Sequence, residues 1–348
     1  MVITNYSREK LSKILINSGE KSFRAIQIFE WIYKKQITSF ANMQNISSAS
    51  IATLENLFSF NELRLEDVQT SSDGTKKYLF ALKDSFFIET VHMRFNYGES
   101  VCISTQVGCN MACRFCASGQ KKALRNLEVW EMVAQVLYID NLLRKENKRI
   151  SHVVIMGIGE PFDNYENVME FIKIINDGKG LDIGARHITV STSGIVPKIK
   201  EFSDFPLQVN LAISLHFPNN SLRSKYMPIN RLYPLDELIA ALHEYYEKTK
   251  RRITFEYVLI AGINDTQELA YELASLIRPF NCYVNLIPLN TIGVVLKRSS
   301  KEATDTFFNI LVKEGIKVTI RREQGADIDA ACGQLRSKRE VKNAGTSN

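Results

Sequence analysis

Ten residues concentrate the chemistry of this chain: Val107-Gly108-Cys109-Asn110-Met111-Ala112-Cys113-Arg114-Phe115-Cys116, with cysteines spaced C-x3-C-x2-C. Three thiolates this close can each hold one iron of a [4Fe–4S] cubane and leave the fourth iron without a local protein ligand. A structural zinc wants a fourth ligand. Zinc in a non-enzymatic RNA-binding protein is therefore the rival reading, and three packing cysteines are the plain one. Two further thiols stand apart, Cys102 seven residues upstream and Cys332 in Asp327-Ile328-Asp329-Ala330-Ala331-Cys332-Gly333-Gln334-Leu335. Glycine, small residues and acids make poor core material, so Cys332 reads as a working thiol. Cys282, the sixth cysteine, reads as a small buried apolar residue. Clustered cysteines in a long chain of a reducing compartment point to metal or thiol chemistry rather than a disulfide framework.

Elements able to position these thiols follow from the patterning. Near the start, Ser7 caps a helix over Arg8 to Ser18, Phe23, Ile26, Phe29, Ile32 and Tyr33 recur at helical spacing, and Asn42 to Phe58 reads as a third helical stretch. Ser72-Asp73-Gly74 is a turn signal between alternating segments, and Lys77–Leu82 and Phe86–Met93 read as strands. From residue 100, β-rich runs at Val101–Thr105, His152–Met156, His187–Ser191, Val209–Leu215, Ile253–Ile260, Tyr283–Pro288 and Lys317–Ile320 alternate with helical segments. This predicts an α/β fold, a parallel sheet covered by helices in a complete or partial barrel, with chemistry at the carboxyl ends of its strands. The expected division is 1–65, an N-terminal helical accessory domain; 66–98, a β-rich connecting segment; 99–336, the barrel; and 337–348, a disordered basic tail. No apolar run reaches the ~18 residues of a membrane span, and the first residues carry no secretory pattern, so we expect a cytoplasmic protein. A net charge of +6 suits a polyanionic partner such as RNA.

The C-x3-C-x2-C loop, with an aromatic before its last cysteine, resembles the signature of the radical S-adenosylmethionine (SAM) superfamily. The run Ile328-Asp329-Ala330-Ala331-Cys332-Gly333-Gln334-Leu335 is similar to one group within it, the RlmN-like adenine methyltransferases of ribosomal RNA. That resemblance extends from Phe23-Arg24-Ala25 through Trp31-Ile32-Tyr33, Asp73-Gly74-Thr75 and Met227-Pro228-Ile229-Asn230 to Gln334-Leu335. It implies a partial (β/α)6 TIM-like barrel, a [4Fe–4S] cluster on Cys109, Cys113 and Cys116, and two SAM molecules per turnover. One SAM would methylate Cys332; the other, cleaved at the cluster, would yield a radical that takes a hydrogen from the S-methyl. The resulting carbon radical would add to C2 of a peptidyl-transferase-centre adenosine in 23S rRNA, and of an adenosine in tRNA. By the same resemblance Glu89 takes the ring proton, and Cys102 attacks the sulfur of Cys332 and leaves a disulfide bond to be reduced.

For SAM itself the resemblance implies Gly159 and Glu160, in Gly157-Ile158-Gly159-Glu160, then Ser191, Ser214, Leu215, His216 and Asn290. It also implies an electron donor such as flavodoxin or ferredoxin, and we expect a monomer. Arg24, Lys34, Lys35, Lys121, Lys122, Arg125, Lys297, Arg298, Arg321 and Arg322 are candidates for a phosphate-binding surface. The related Cfr-like enzymes, which methylate C8 of the same adenosine and confer antibiotic resistance, share the cysteines. The runs Gly159–Tyr165 and Ile287–Asn290 resemble the C2 group. The chain departs from the pattern at Ile158, often methionine, at Gln120–Leu124, which lacks glycines, and at Thr291–Leu296, which lacks a proline.

Overall fold

The computed structural model describes residues 1–290, 296–321 and 324–335. Three helices open the chain, α1 Arg8–Asn17, α2 Arg24–Tyr33 and α3 Ser48–Leu57. Helix α2 buries Ile28, Phe29, Ile32 and Tyr33; of the expected stripe Phe29, Ile32 and Tyr33 face the core, while Ile26 is half-buried and Phe23 lies exposed before the helix. Helix α3 is shorter than its sequence suggests. It starts at the Ser47 cap, which accepts from the Ser50 N–H. Upstream, Asn45 is drawn off to accept from the Trp31 indole at 2.6 Å. Ser7 does not cap α1 through its hydroxyl; its N–H donates instead to Glu170 at 2.8 Å.

Four strands then form an antiparallel meander, β1 Arg64–Thr70, β2 Lys76–Ala81, β3 Phe87–Phe95 and β4 Gly98–Cys102. After a two-residue ribbon, β5 Gln106–Val107 with β6 Arg125–Asn126, the chain alternates strand and helix. The remaining strands are β7 Ile150–Ile155, β8 Ile188–Thr192, β9 Asn210–Ser214, β10 Ile253–Leu259, β11 Cys282–Pro288 and β12 Val318–Ile320. The helices are α4 Val129–Arg144, α5 Tyr165–Asn176, α6 Val196–Phe202, α7 Asn220–Tyr226, α8 Leu235–Thr249, α9 Gln267–Ile277 and α10 Lys301–Lys313. One ten-stranded sheet runs β1-β2-β3-β4-β7-β8-β9-β10-β11-β12, parallel from β4 onward. This is the expected (β/α)6 partial barrel with a seventh short parallel strand at its open edge. Among the described residues no helix is long and apolar enough to cross a membrane.

The N-terminal helices share the barrel's apolar core. Asn5 accepts from the Trp130 N–H at 2.8 Å and Gln36 donates to Asp140 at 2.7 Å, which fixes the module on α4. Gly180 leaves room for Phe29; a Cβ there would lie 2.7 Å from its ring. At the end of β7, Gly157 lets that strand's exit approach the backbone after β4, where a Cβ would lie 2.5 Å from the Ile103 carbonyl oxygen.

After β12 the chain crosses back over the meander and is stitched to the β1–β2 turn. Asp327 accepts from the Ser71 hydroxyl at 2.5 Å and the Ser72 N–H at 3.0 Å. In return, Asp73 accepts from the Gly325 N–H at 2.9 Å. Thr75 donates to Gln324 at 3.0 Å, and Lys77 to the Asp329 carbonyl at 3.2 Å. The Ser71 bond does most to hold the Asp327 carboxyl below its usual range. Burial works to raise Asp73, but the N–H groups of Gly325 and Thr75 outweigh it and its carboxyl also lies low.

Two outcomes follow. Gly157→Ala forces backbone apart at a place with no flexible side chain to yield, so it should cost about 1–3 kcal/mol in urea unfolding; an unchanged midpoint would contradict the close approach. The stitch depends on two carboxyls lowered by folding, so its stabilisation is complete above their unfolded values, near 4, and is lost as pH falls through the lower folded values. Hydrogen exchange in 324–335, corrected for intrinsic rates, should stay slow from pH 7 to 5 and quicken below about 4; Asp73→Asn should already be fast at pH 7.

Candidate active site

The cysteine loop leaves β5 at Gly108, whose φ of +83° and contact with the Lys122 carbonyl only glycine accommodates. The Cys109 N–H donates to the Lys121 carbonyl at 3.0 Å and the Arg114 N–H to that of Tyr226 at 3.0 Å. All three thiols line one cleft of about 920 Å³, its open mouth included. Burial pushes Cys109 up to about 12, lifts Cys113 well above the ordinary thiol value, helped by its two neighbours, and raises Cys116. A metal that takes these sulfurs must displace their protons. Among the described residues no three thiol, imidazole or carboxylate groups close on a single-ion site. A cubane asks for something else, one thiolate on each of three irons.

From the cysteines the cleft runs along the strand ends past Gly157, Gly159, Glu160, Ser191, Ser214, His216 and Asn290. Glu160, buried, accepts from the Phe162 and Ser193 N–H groups at 3.0 and 2.8 Å, while burial raises its carboxyl. Ser191 and Ser214 face each other at 3.4 Å. His216 has a φ of +57°, which turns its ring back so that Nδ1 accepts from the Val258 N–H at 3.1 Å. Burial, then Arg223, lowers it to about 3, so it is a neutral imidazole with Nε2–H as its donor. Gly159 lines the cleft, and its φ of +111° with a Cβ position 2.7 Å from Thr105 and Gln106 atoms also packs it against the loop after β4. The Leu215 side chain is wholly buried in the apolar core just past the end of β9, and Ser214 and His216 on either side of it line the cleft.

Sequence reasoning missed Ser193, Glu256 and Arg321. The Ser193 hydroxyl and one Glu256 oxygen are buried in this wall without a hydrogen bond, which leaves polar capacity for a polar ligand. That capacity, the thiol triplet and the cleft's size fit an iron–sulfur cluster with a nucleoside-bearing amino acid beside it. Arg321 was expected on an RNA-binding surface. It lines the cleft instead, its Nη1 3.7 Å from that same Glu256 oxygen, Oε2. Behind the wall the fully buried Arg223 donates to the Ser193 carbonyl at 2.5 Å and to Asn230 at 3.0 Å, which gives Met227-Pro228-Ile229-Asn230 its structural task.

Cys332 lines this cleft and also a second hollow of about 520 Å³, whose wall includes Cys102, Val91, Met93, Ala330 and Leu335. The two thiols, 230 positions apart in sequence, thus share one cavity. All six cysteines are free, so the expected disulfide bond is absent from this structure. Burial, and then the nearness of Cys332, pushes Cys102 up to about 12, against the pull of Arg321. Glu89 lies two residues from Val91 on the same face of β3, buried, with Lys77 Nζ 3.5 Å away. Asn290 donates to the Cys332 carbonyl at 3.0 Å.

Among the expected RNA-facing cations, Lys34, Lys35, Lys122, Lys297 and Arg298 are exposed. Arg24 is half-buried against Glu20, and Lys121 is half-buried. Arg125 is a correction, since it makes a bidentate pair with Glu131 at 2.8 Å and another pair with Asp84. Arg322, the loop 291–295 and the tail 337–348 lie outside the described residues.

Comparison with known proteins agrees with this geometry. Residues 103–274 match the radical SAM superfamily model, and residues 2–67 match that of the ribosomal RNA large subunit methyltransferase N-terminal domain. The chain is 55% identical to "Probable dual-specificity RNA methyltransferase RlmN" of Enterococcus faecalis, over 98% of this chain and 97% of that one. It is 52% identical to the protein of that name from Spiroplasma citri, over 97% and 98%. A crystal structure of a radical SAM methyltransferase from Sphaerobacter thermophilus superposes with a TM-score of 0.91 at 43% identity, covering 97% of this chain and 99% of that one. With identity this high over nearly its whole length, the chain belongs to the RlmN family of radical SAM RNA methyltransferases.

Proposed function

We propose that this chain methylates C2 of an adenosine in the peptidyl-transferase centre of 23S rRNA, and of an adenosine in tRNA, using two SAM molecules per turnover. The observation that carries this reading is the position of Cys332. It stands on the wall shared by the cleft of the three cluster cysteines and the hollow of Cys102. A methyl carrier has to visit both.

Cys109, Cys113 and Cys116 hold the cluster, and Glu160, Ser191, Ser214, His216 and Asn290 line the SAM site beside it. Bound there, the pair supplies the methyl group and the one-electron chemistry. The protein's own residues do the rest. Cys332 receives the methyl and links covalently to the ring through it. Glu89, on the same sheet face as the Cys102 hollow, takes the proton from C2. The Cys102 thiolate then attacks the sulfur of Cys332; the S–CH2 bond breaks, its electron pair passes to the ring-bound carbon, which takes up a proton to become the methyl group, and a Cys102–Cys332 disulfide is left for an external thiol to reduce. Because burial holds Cys102 largely as the thiol, this last step needs its proton removed. The target base must leave its stack to enter. An electron donor such as flavodoxin or ferredoxin supplies the electron, and the chain works as a monomer.

Mass spectrometry of 23S rRNA from cells lacking and regaining the gene tests the reading. The expected result is loss and return of 2-methyladenosine; an 8-methyl product or an unchanged adenosine would overturn it.

Two variant series probe the parts. Cys109→Ala, Cys113→Ala and Cys116→Ala should each lose at least about a hundredfold in 5′-deoxyadenosine formation, because a cubane with two thiolate ligands is poorly held. Retention of that product in any of the three would sink the cluster assignment. The two distant thiols should fail differently. Cys332→Ala should show neither S-methylcysteine nor a protein–RNA crosslink. Cys102→Ala should be methylated on Cys332, attack RNA and stall as a slow, ribonuclease-sensitive band on a denaturing gel. In the native enzyme, release should quicken by about tenfold per pH unit from 7 to 9 as the thiolate fraction grows. Normal product from Cys102→Ala would remove it from the mechanism.

A further inference from the structure

Lys77 is a charged side chain in a place where charge is costly. It is 8% exposed, on β2, beneath the returning C-terminal segment. Strand register sets its neighbours. Lys77 stands opposite Val91, and Val91 opposite Cys102, so the three share a row on one face. Glu89 is the diagonal neighbour of Lys77 across the antiparallel pair, within reach of a long side chain. The ammonium uses that reach in two directions. It lies 3.5 Å from Glu89 Oε1 and donates to the Asp329 carbonyl at 3.2 Å, three residues before Cys332.

A buried ion pair is a weak source of stability, since apolar residues of similar volume often do as well. Here one cation contacts both the group that takes the proton and the loop that brings the carbon to be deprotonated. We propose that Lys77 is a positioning residue for deprotonation. It fixes Glu89 as an oriented carboxylate and holds the Cys332 loop in register with it, so base and adduct meet in one geometry. This rests on the reading of Glu89 as the proton acceptor. In the step concerned, the adenine C2–H bond breaks, its electron pair stays in the ring, and the proton bonds to a Glu89 oxygen. Lys77 keeps its own protons throughout and touches neither substrate nor cofactor.

The test uses reconstituted holoenzyme under anaerobic conditions with a synthetic 23S rRNA hairpin carrying hydrogen or deuterium at C2 of the target adenine. Lys77→Met, Lys77→Arg, Glu89→Gln and the double variant Lys77→Met/Glu89→Gln are compared. S-methylation of Cys332 is read by intact mass, stalled adduct by denaturing gel, and turnover by product formation. Lys77→Met should methylate Cys332 as the parent does, accumulate the adduct, lose about tenfold in turnover and show an enlarged deuterium effect. Lys77→Arg should recover most of the loss. The double variant should be no slower than Glu89→Gln alone, because Lys77 acts through Glu89. Should Lys77→Met fail to fold, Lys77→Gln, which keeps a donor for Asp329 without the charge, carries the same expectation.

Normal turnover by Lys77→Met with no adduct, or loss of Cys332 methylation together with all later steps, would overturn the proposal. If Glu89→Gln stalls while Lys77→Met does not, Lys77 alone is misassigned. If Glu89→Gln turns over normally, the proton acceptor itself is wrong and the role of Lys77 falls with it.

Discussion

Cys332 is held through the backbone of its own loop rather than through its sulfur. Its carbonyl accepts from Asn290, the Gly333 carbonyl from the Ala117 N–H at 2.7 Å, and the Leu335 carbonyl from the Ser118 hydroxyl at 2.9 Å. Upstream, Asp329 is held by Lys77, and Asp327 by the turn between β1 and β2. The loop is therefore anchored at once to the cysteine loop, the end of β11 and the meander. Remove that three-way attachment and the barrel keeps its cleft, but Cys332 no longer stands on the wall that the cleft shares with the Cys102 hollow. A side chain held by carbonyls on either side stays free to change its chemical state without breaking the bonds that place it.

The electrostatics of the two cavities fit the same division of labour. Around the cluster cysteines, burial favours neutral forms: protonated thiols, and an imidazole at His216 that stays uncharged. Such a site presents little fixed charge of its own, so a cationic cluster core can take the thiolates and a zwitterion can find both donors and acceptors. Charge appears at the junction instead, where Arg321 lines both cavities beside Glu256 and pulls against the upward shift of Cys102. Low dielectric surroundings make such a cation felt over several ångströms.

Much of this was legible in the sequence, for a definite reason. Most of the seven parallel strands are largely buried, so they appear as apolar runs, and each predicted run overlaps an observed strand. Strand β1 was missed because it is an exposed edge strand with little apolar patterning to read. The α3 start was missed because a buried indole claimed Asn45, a contact between residues 14 apart. Arg125 and Arg321 looked like surface cations, since residue type carries no information about partners as distant in sequence as Asp84 and Glu256. Leu215 illustrates the converse. A motif names neighbouring residues together, while Leu215 turns its side chain to the core between two that line the cleft.

The meander is more than a connection between modules. A (β/α)6 barrel with its cleft ends at β4, and β4 supplies Cys102 on one edge of the second hollow. Beside it, Val91 and Met93 of β3 line the same hollow; Glu89 lies on that face of β3 with Lys77 of β2 3.5 Å away, and the β1–β2 turn holds the returning loop. The second hollow is thus lined in part by the meander, in part by the barrel strands, and closed by residues after β12. Antiparallel pairing suits this arrangement, because directly opposed residues in neighbouring strands project to the same face, so Val91 and Cys102 stand side by side, with Glu89 on their face, without any loop. The parallel barrel lines its cleft with strand ends, whereas the meander lines the hollow with a strand face. Cys332 lies where those two surfaces meet.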